Sequence, residues 1–170
     1  MHAHMRIARP VSDLERSVRS YRAGLQLDEL GRFADHAGFD GVMLGSTGMH
    51  YHLELTFCRS HPLRPTPTEE DLLVFYVPDR TEWLDACARM LEAGFAEVSP
   101  FNPYWQGRGR TFRDHDGYGI VLEQDAWTAS DLDRAPAAAG SSMRSTSSRS
   151  SSRHSSSSST DKSGAFTRPG

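Results

Sequence analysis

The chain has 170 residues, 37% of them apolar, which is enough to bury one modest core. Through residue 134 it carries 14 basic and 21 acidic side chains, a net charge of −7 that argues against nucleic-acid binding by this part. Two cysteines are too few for a disulfide scaffold, and neither a charged-then-apolar leader nor an apolar run of about 18 residues is present. These features predict a cytoplasmic protein without a membrane partner.

Composition divides the chain into a flexible N-terminus over residues 1–5, a globular domain over residues 6–130 and a tail over residues 131–170. The tail is rich in Ser and Arg and almost lacks large apolar side chains, so it cannot offset the entropy of ordering and is predicted to be disordered. Within the domain we predict a first unit over 6–58, a linker over 59–70 and a second unit over 71–127.

The first unit is predicted to begin with a strand over residues 6–11. Ser12 is the expected N-cap of the following helix, because Glu15 lies at the capping-box spacing, and Gly24 is expected to end that helix. Three strands follow, separated by turns that contain Gly, over residues 27–34, 39–44 and 51–58.

The second unit repeats this order after a linker with three prolines. A strand over residues 72–77 leads into a helix capped by Asp79, with Glu82 at the same spacing as before and the end near Gly94. The buried face of this helix is predicted to hold Leu84, Ala88 and Leu91, with Trp83 and Cys87 alongside. The last strands are expected over 95–99, 110–113 and 120–123.

The two helix openings, Val11-Ser12-Asp13 and Val77-Pro78-Asp79, lie 66 residues apart and each follows a short apolar run. The ordered part is therefore predicted to be an α+β domain built from two copies of one βαβββ unit.

Three segments resemble the vicinal oxygen chelate superfamily, which includes glyoxalases, bleomycin-resistance proteins and extradiol dioxygenases. They are residues 11–17 with Tyr21 and Gly24-Leu25, residues 53–56, and residues 114–118. The resemblance covers roughly residues 5–127 and implies a half-open mixed β-barrel, with metal ligands projecting inward from the first and last strand of each unit. A further stretch over 102–112 resembles an uncharacterised glyoxalase-like branch.

The ligand positions that the resemblance implies are mostly replaced in this chain. Arg6 stands where the superfamily usually has His or Gln, Leu72 where His is common, and Val121 where Glu is usual. Glu54 alone is retained. Since a divalent metal needs several convergent donors, we expect that the usual metal site is lost and that no cofactor is required.

His52, Glu54 and Thr56 alternate along one strand, so their side chains are expected to share one face, which lines the cavity in the superfamily. We predict His52 and Glu54 as catalytic or anchoring groups and Arg6 and Thr56 as ligand contacts. The alternative is that Arg6 pairs with Glu54 across the former metal site, and ligand binding that breaks this pair would make the two compatible.

A rearranged metal cluster of His50, His52 and Glu54 is a second alternative, although neighbours on one strand face lie about 6.6 Å apart, which is long for a shared ion. His2 and His4 are expected in the flexible terminus.

Four further side chains are predicted to contact a ligand. Tyr104 and Trp105 lie in a Pro-containing loop, where aromatic rings cover a core edge or form a pocket wall. Arg110 and Phe112 alternate on one strand, so Arg110 reaches the cavity and holds a carboxylate or phosphate if Phe112 points inward. An Arg110 that is solvated and paired with an acidic neighbour is the alternative.

The leading hypothesis is a homodimer that binds a small organic molecule in the barrel cleft without the usual metal. The alternative is a metal-dependent glyoxalase-like lyase or isomerase, or a dioxygenase, with a rearranged site around His52 and Glu54. A third hypothesis treats the domain as a dimerisation scaffold for an active tail.

Overall fold

The computed structural model of the chain describes residues 3–128, and the predicted disordered tail lies outside these residues. The elements in chain order are β1 (Met5–Pro10), α1 (Leu14–Leu25), β2 (Asp28–His36), β3 (Phe39–Gly45), β4 (Tyr51–Cys58), β5 (Leu72–Tyr76), α2 (Arg80–Glu92), β6 (Ala96–Val98), a 3₁₀ helix (Pro103–Gln106), β7 (Gly109–Arg113) and β8 (Gly119–Glu123). No helix in this part of the chain is both long enough and apolar enough to span a membrane.

The strands form two four-stranded mixed sheets of the same design. The first sheet has the order β1-β4-β3-β2 and the second has the order β5-β8-β7-β6. In each sheet the first and last strands of the unit pair in parallel, and the other pairs are antiparallel. The predicted fold class, two βαβββ units in one α+β domain, is confirmed.

Both helices begin at an aspartate. The Asp79 carboxylate accepts a hydrogen bond from the Glu82 backbone N–H at 2.8 Å, as predicted for α2. In α1 the cap is Asp13, which accepts from the Arg16 N–H at 2.9 Å, so the prediction of Ser12 was wrong by one residue. Ser12 is engaged elsewhere, because both its N–H (3.0 Å) and its hydroxyl donate to Asp116 in the second unit.

Gly24 lies inside α1 and does not end it, since the left-handed C-cap is Gln26. A Cβ atom at residue 24 would lie 2.9 Å from the Met90 sulfur and 3.0 Å from the Phe95 ring. The missing side chain therefore allows α1 to approach α2, and one apolar core extends across both units.

The buried face of α2 differs from the predicted one. Cys87 is fully buried and Trp83 packs against the core, as expected, but Leu84 and Leu91 are 44% and 46% exposed. Ala86 and Met90 occupy the buried positions instead. The face is rotated because α2 packs closely against α1 at Gly24, where Met90 fills the space that a side chain would take.

Each sheet has one face against the helices and one face away from them. In the first sheet Leu53 and Leu55 belong to the core, so the alternate residues of β4 lie on the opposite face. We call this opposite face of each sheet its open face.

Candidate functional site

The open face of the first sheet brings together the residues predicted to form the site. Strand register pairs Arg6 of β1 with His52 of β4, and Ala8 with Glu54. On the other side of β4, Glu54 is paired with Met43. Because paired residues point to the same side of a sheet, Arg6, His52, Glu54 and Met43 share the open face.

An ion pair occupies the centre of this face. The Arg6 Nη1 atom donates to Glu54 Oε1 at 3.2 Å, and the Arg6 Nε atom donates to His52 Nε2 at 3.1 Å. The Glu54 side chain is 10% exposed and the Arg6 side chain 56% exposed. The structure thus contains the Arg6–Glu54 pair that the sequence suggested, with its carboxylate buried and its guanidinium open to solvent.

His4 extends the same network. Its Nε2 atom lies 2.6 Å from His52 Nδ1, and the two rings are tilted by 32° with centroids 4.8 Å apart. His4 was predicted to lie in a flexible terminus and here contacts His52, while His2 lies outside the described residues. His4, His52, Arg6 and Glu54 therefore form a continuous chain of polar contacts that ends at the buried carboxylate.

The network affects the ionisation of His52. Burial, together with the nearby His4 and Arg6, lowers the pKa of His52, because each disfavours the imidazolium form. Glu54 is the charged group that acts in the opposite direction. His52 is therefore held in its neutral form to lower pH than a free histidine.

We expect this to make stability depend on pH below about 6.5, the ordinary pKa of histidine. In that range the unfolded chain takes up a proton at residue 52 before the folded chain does, so the free energy of unfolding falls as pH falls. Urea unfolding between pH 5 and 7.5, compared with His52→Gln, measures this effect. An unchanged pH slope in the variant would contradict it.

The residues at the superfamily's metal positions do not fit a divalent cation. The Arg6 guanidinium, a permanent cation, lies against Glu54, and Leu72 and Val121 provide no donor atoms. Within residues 3–128 no three His, Cys, Asp or Glu side chains form a group that would hold a metal, including His50 with His52 and Glu54. No catalytic step is therefore assigned to a metal at this site.

Glycines shape the apolar wall of the open face. A Cβ atom at Gly41 in β3 would lie 2.3 Å from the Phe33 ring, and one at Gly45 would lie 2.8 Å from the Leu30 side chain. Two side chains of β2 therefore lie over the bare backbone of β3. Phe33 and Leu30 were not predicted as site residues.

Of the remaining predicted ligand contacts, Thr56 shares the open face and the others lie in other parts of the domain. Thr56 lies on the open face, where its hydroxyl donates to the Arg9 carbonyl at 3.4 Å. Tyr104 and Trp105 belong to the 3₁₀ helix, with perpendicular rings 4.7 Å apart.

Arg110 and Phe112 lie on the helix-facing side of the second sheet. Phe112 is fully buried in the core, so it does not line a cavity. The Arg110 Nε atom donates to Glu97 at 2.7 Å, which matches the alternative of a pairing with an acidic neighbour. The condition for Arg110 to reach the cavity, an inward-pointing Phe112, is not met.

Comparison with known proteins agrees with this architecture. The YycE-like N-terminal domain model matches residues 5–56, and the YycE-like C-terminal domain model matches residues 70–124. The uncharacterized protein YycE of Bacillus subtilis strain 168 is 42% identical over 120 residues, which cover 71% of this chain and 86% of that protein.

Comparison with solved structures identifies proteins of the same fold. The crystal structure of a Bacillus subtilis YycE protein of unknown function superposes with a TM-score of 0.71 at 39% identity, covering 75% of this chain and 93% of the other. TnmS3, an antibiotic binding protein from Streptomyces sp. CB03234, gives a TM-score of 0.53 at 27% identity, with 74% and 97% covered.

The fosfomycin resistance protein FosX from Mesorhizobium loti gives a TM-score of 0.58 at 16% identity, with 76% and 95% covered, and this likeness concerns the fold. Two YycE-like domain models together span most of the described residues, and the paired βαβββ units have the arrangement of the glyoxalase and fosfomycin-resistance structures. The chain belongs to the YycE-like family of the vicinal oxygen chelate superfamily.

Proposed function

We propose that this protein is a cytoplasmic homodimer that binds a small organic molecule on the open face of the first sheet without the superfamily's usual metal. The observation that carries the proposal is the Arg6–Glu54 ion pair, which places a guanidinium at the position of a metal ligand. A cation already held at 3.2 Å from the carboxylate satisfies its charge.

The same cation defines the chemistry of the ligand. More than half of the Arg6 side chain is exposed, so its guanidinium is available to a carboxylate or phosphate-type group as well as to Glu54. Phe33 and Met43 on the same face supply apolar contact beside this charge. We therefore expect the ligand to combine an anionic group with an apolar body.

TnmS3, to which the chain is similar at 27% identity, is an antibiotic binding protein, and this similarity supports the binding of a small organic molecule here. A second copy of the chain is proposed to cover the β2–β3 edge of the open face, because the apolar side chains of Leu30 and Phe39 are 49% and 40% exposed there. Light scattering on the purified protein, with Leu30→Asp beside it, tests the dimer; a wild-type monomer would contradict it.

Metal analysis separates binding from metal-dependent catalysis. Untagged wild-type protein and Glu54→Ala are expressed in metal-replete medium, purified without chelators and analysed by mass spectrometry for bound metal. We expect no stoichiometric metal in either protein. One metal per wild-type chain that disappears in the variant would overturn the proposal and favour a lyase, isomerase or dioxygenase centred on His52 and Glu54.

Ligand binding is then measured with a panel of small aryl carboxylates and phosphonates by thermal shift. Arg6→Met is expected to abolish the response, while Arg110→Met, which removes the guanidinium on the opposite side of the other sheet, is expected to preserve it. Equal responses in the two variants would contradict binding at Arg6.

A further inference from the structure

The second sheet has an open face of its own with a different character. In β7 and β8, Phe112, Ile120 and Leu122 point into the core against α2, and the Trp83 indole N–H donates to the Leu122 carbonyl at 2.9 Å. The alternate residues therefore lie on the other side. Strand register places Thr111 beside Val121 and Gly109 beside Glu123 on this open face.

Buried polar atoms without a hydrogen-bond partner concentrate in this region. Of six such side-chain atoms in residues 3–128, three are Thr111 Oγ1, Glu123 Oε2 and Trp105 Nε1. Thr111 is 4% exposed and Glu123 is 8% exposed. Buried polar groups in proteins are normally paired, so three unpaired atoms in one region require an explanation.

Gly109 gives the Glu123 carboxyl group its space. A Cβ atom at residue 109 would lie 2.6 Å from Glu123 Oε2 and 2.8 Å from the Trp105 carbonyl oxygen. The Glu123 carboxyl group and the backbone of the 3₁₀ helix therefore both approach the β7 backbone at Gly109, where no side chain lies between them. The Trp105 carbonyl oxygen and the Glu123 carboxyl group therefore lie over the same residue of β7, and the unpaired Trp105 indole N–H belongs to this part of the domain.

Among the described residues, no cation forms an ion pair with this carboxyl group. Burial raises the pKa of Glu123, and although Arg108 acts to lower it, Asp125 acts to raise it and forms an ion pair with Arg108. A buried carboxyl group in this state destabilises the fold when it is ionised. The free-energy cost of burying the ionised Glu123 carboxylate is offset only when a hydrogen-bond donor reaches its oxygen atoms.

We propose that Glu123, Thr111 and Trp105 form a polar subsite for a neutral ligand group that carries a hydrogen-bond donor and an acceptor side by side, such as a carboxamide. The indole N–H donates to the ligand carbonyl oxygen, the Glu123 carboxyl group accepts from the ligand N–H, and the Thr111 hydroxyl serves either atom. A carboxylate is rejected, because it brings a second negative charge to Glu123. The inference rests on the proposed function and adds a second recognition element to it.

Benzamide and benzoate are a matched pair of probes for this subsite. We expect benzamide, titrated to millimolar concentration, to shift the Trp105 indole N–H signal in ¹H–¹⁵N NMR spectra. The Trp83 indole signal is an internal control, because its N–H is already bonded to Leu122. Benzoate is expected to leave the Trp105 signal unchanged.

The variants Glu123→Leu and Thr111→Val replace unpaired polar atoms by apolar groups of similar size. Each is expected to weaken benzamide binding about tenfold or more while leaving Tm unchanged or raised, because no hydrogen bond within the protein is lost. A clear fall in Tm would mean that these atoms have partners and would overturn the subsite. So would equal binding of benzoate, no shift with benzamide, or an ordered water that bridges the three atoms and stays in a benzamide-soaked crystal.

The two proposals fail in different ways. If Arg6→Met abolishes the response to the aryl acids while Glu123→Leu leaves benzamide binding unchanged, the subsite proposal is wrong and the proposed function is supported. If benzamide binds as expected but the wild-type protein holds a stoichiometric metal that depends on Glu54, the subsite proposal is supported and the metal-free proposal is wrong.

Discussion

Replacing Asp114 with alanine is expected to lower the free energy of unfolding by about 3–5 kcal/mol, because it leaves several buried polar groups without partners. Asp114 lies between β7 and β8, is 8% exposed and accepts the Tyr21 hydroxyl at 2.8 Å. It also accepts the backbone N–H groups of Asp116 and Tyr118, each at 2.9 Å. The Asp114 carboxylate thus connects the turn between β7 and β8 in the second unit with α1 in the first unit.

Arg9 makes the loss more severe. Its guanidinium is almost fully buried, donates to the Tyr21 hydroxyl at 3.4 Å and lies over the Tyr118 ring at 4.5 Å. Without Asp114 this buried cation keeps the Tyr21 hydroxyl, the Tyr118 ring and the charge of Asp71, but loses the carboxylate bonded to the same hydroxyl. Charged groups in an interior are tolerated only when such compensation is present.

Urea unfolding of the variant measures the expected loss. Tyr21→Phe, which removes one hydroxyl and keeps the ring packing, is expected to cost about 1–2 kcal/mol. Asp85→Ala on the exposed side of α2 is a matched surface control and is expected to stay within about 0.5 kcal/mol of wild type. If Asp114→Ala loses no more than Tyr21→Phe, the proposed role of the carboxylate is wrong.

The βαβββ repeat was predictable from the sequence because its signals are local. Capping residues, apolar alternation and Gly-containing turns each act within a few residues, and they recur in both units. The choice between Ser12 and Asp13 as cap was not local, since Ser12 is held by Asp116 about a hundred residues further along the chain. The buried face of α2 also depends on a distant residue, Gly24 of the other helix.

The same distinction applies to the site. Alternation along β4 was enough to place His52 and Glu54 on one face, and the position of Arg6 before the first helix made its pairing with Glu54 predictable. Phe33 was missed because β2 has two register shifts, one on each side of it, so simple alternation does not give its direction.

Glu123 could have been found from the sequence. Val121 stands where the superfamily usually has Glu, and residues two apart on a strand share a face, so Glu123 necessarily points to the same side. What the sequence does not contain is the burial of its carboxyl group beneath the 3₁₀ helix, which depends on the close approach at Gly109.

The substitution Arg6→Gln is expected to create a binding site for Ni²⁺ that the wild-type protein lacks. The Arg6 guanidinium now contacts both Glu54 Oε1 and His52 Nε2, so its removal leaves a carboxylate and an imidazole facing the same space. Both are good donors for this ion, and the amide oxygen of the introduced glutamine adds a third.

The expected gain in Ni²⁺ affinity can be derived from the positive charge that the Arg6→Gln substitution removes. In bulk water two unit charges 4 Å apart repel by about 1 kcal/mol, so a divalent ion beside the guanidinium is disfavoured by about 2 kcal/mol. Because each 1.4 kcal/mol is a factor of ten in affinity, the loss of this repulsion alone raises the Ni²⁺ affinity by about tenfold or more. The donor atoms released from Arg6 add to the gain.

Isothermal titration with Ni²⁺ measures the new affinity, and Arg110→Gln is the matched control. This control also removes a guanidinium from an ion pair, with Glu97. The second group that contacts this guanidinium is the Cys87 thiol, whose pKa is raised by burial, so it stays protonated and is a poor metal ligand. The double variant Arg6→Gln with Glu54→Ala is expected to lose the gained site. Equal Ni²⁺ binding by Arg6→Gln and Arg110→Gln would show that the guanidinium of Arg6 is not what keeps a metal from Glu54, and it would remove the main support for a metal-free binding site.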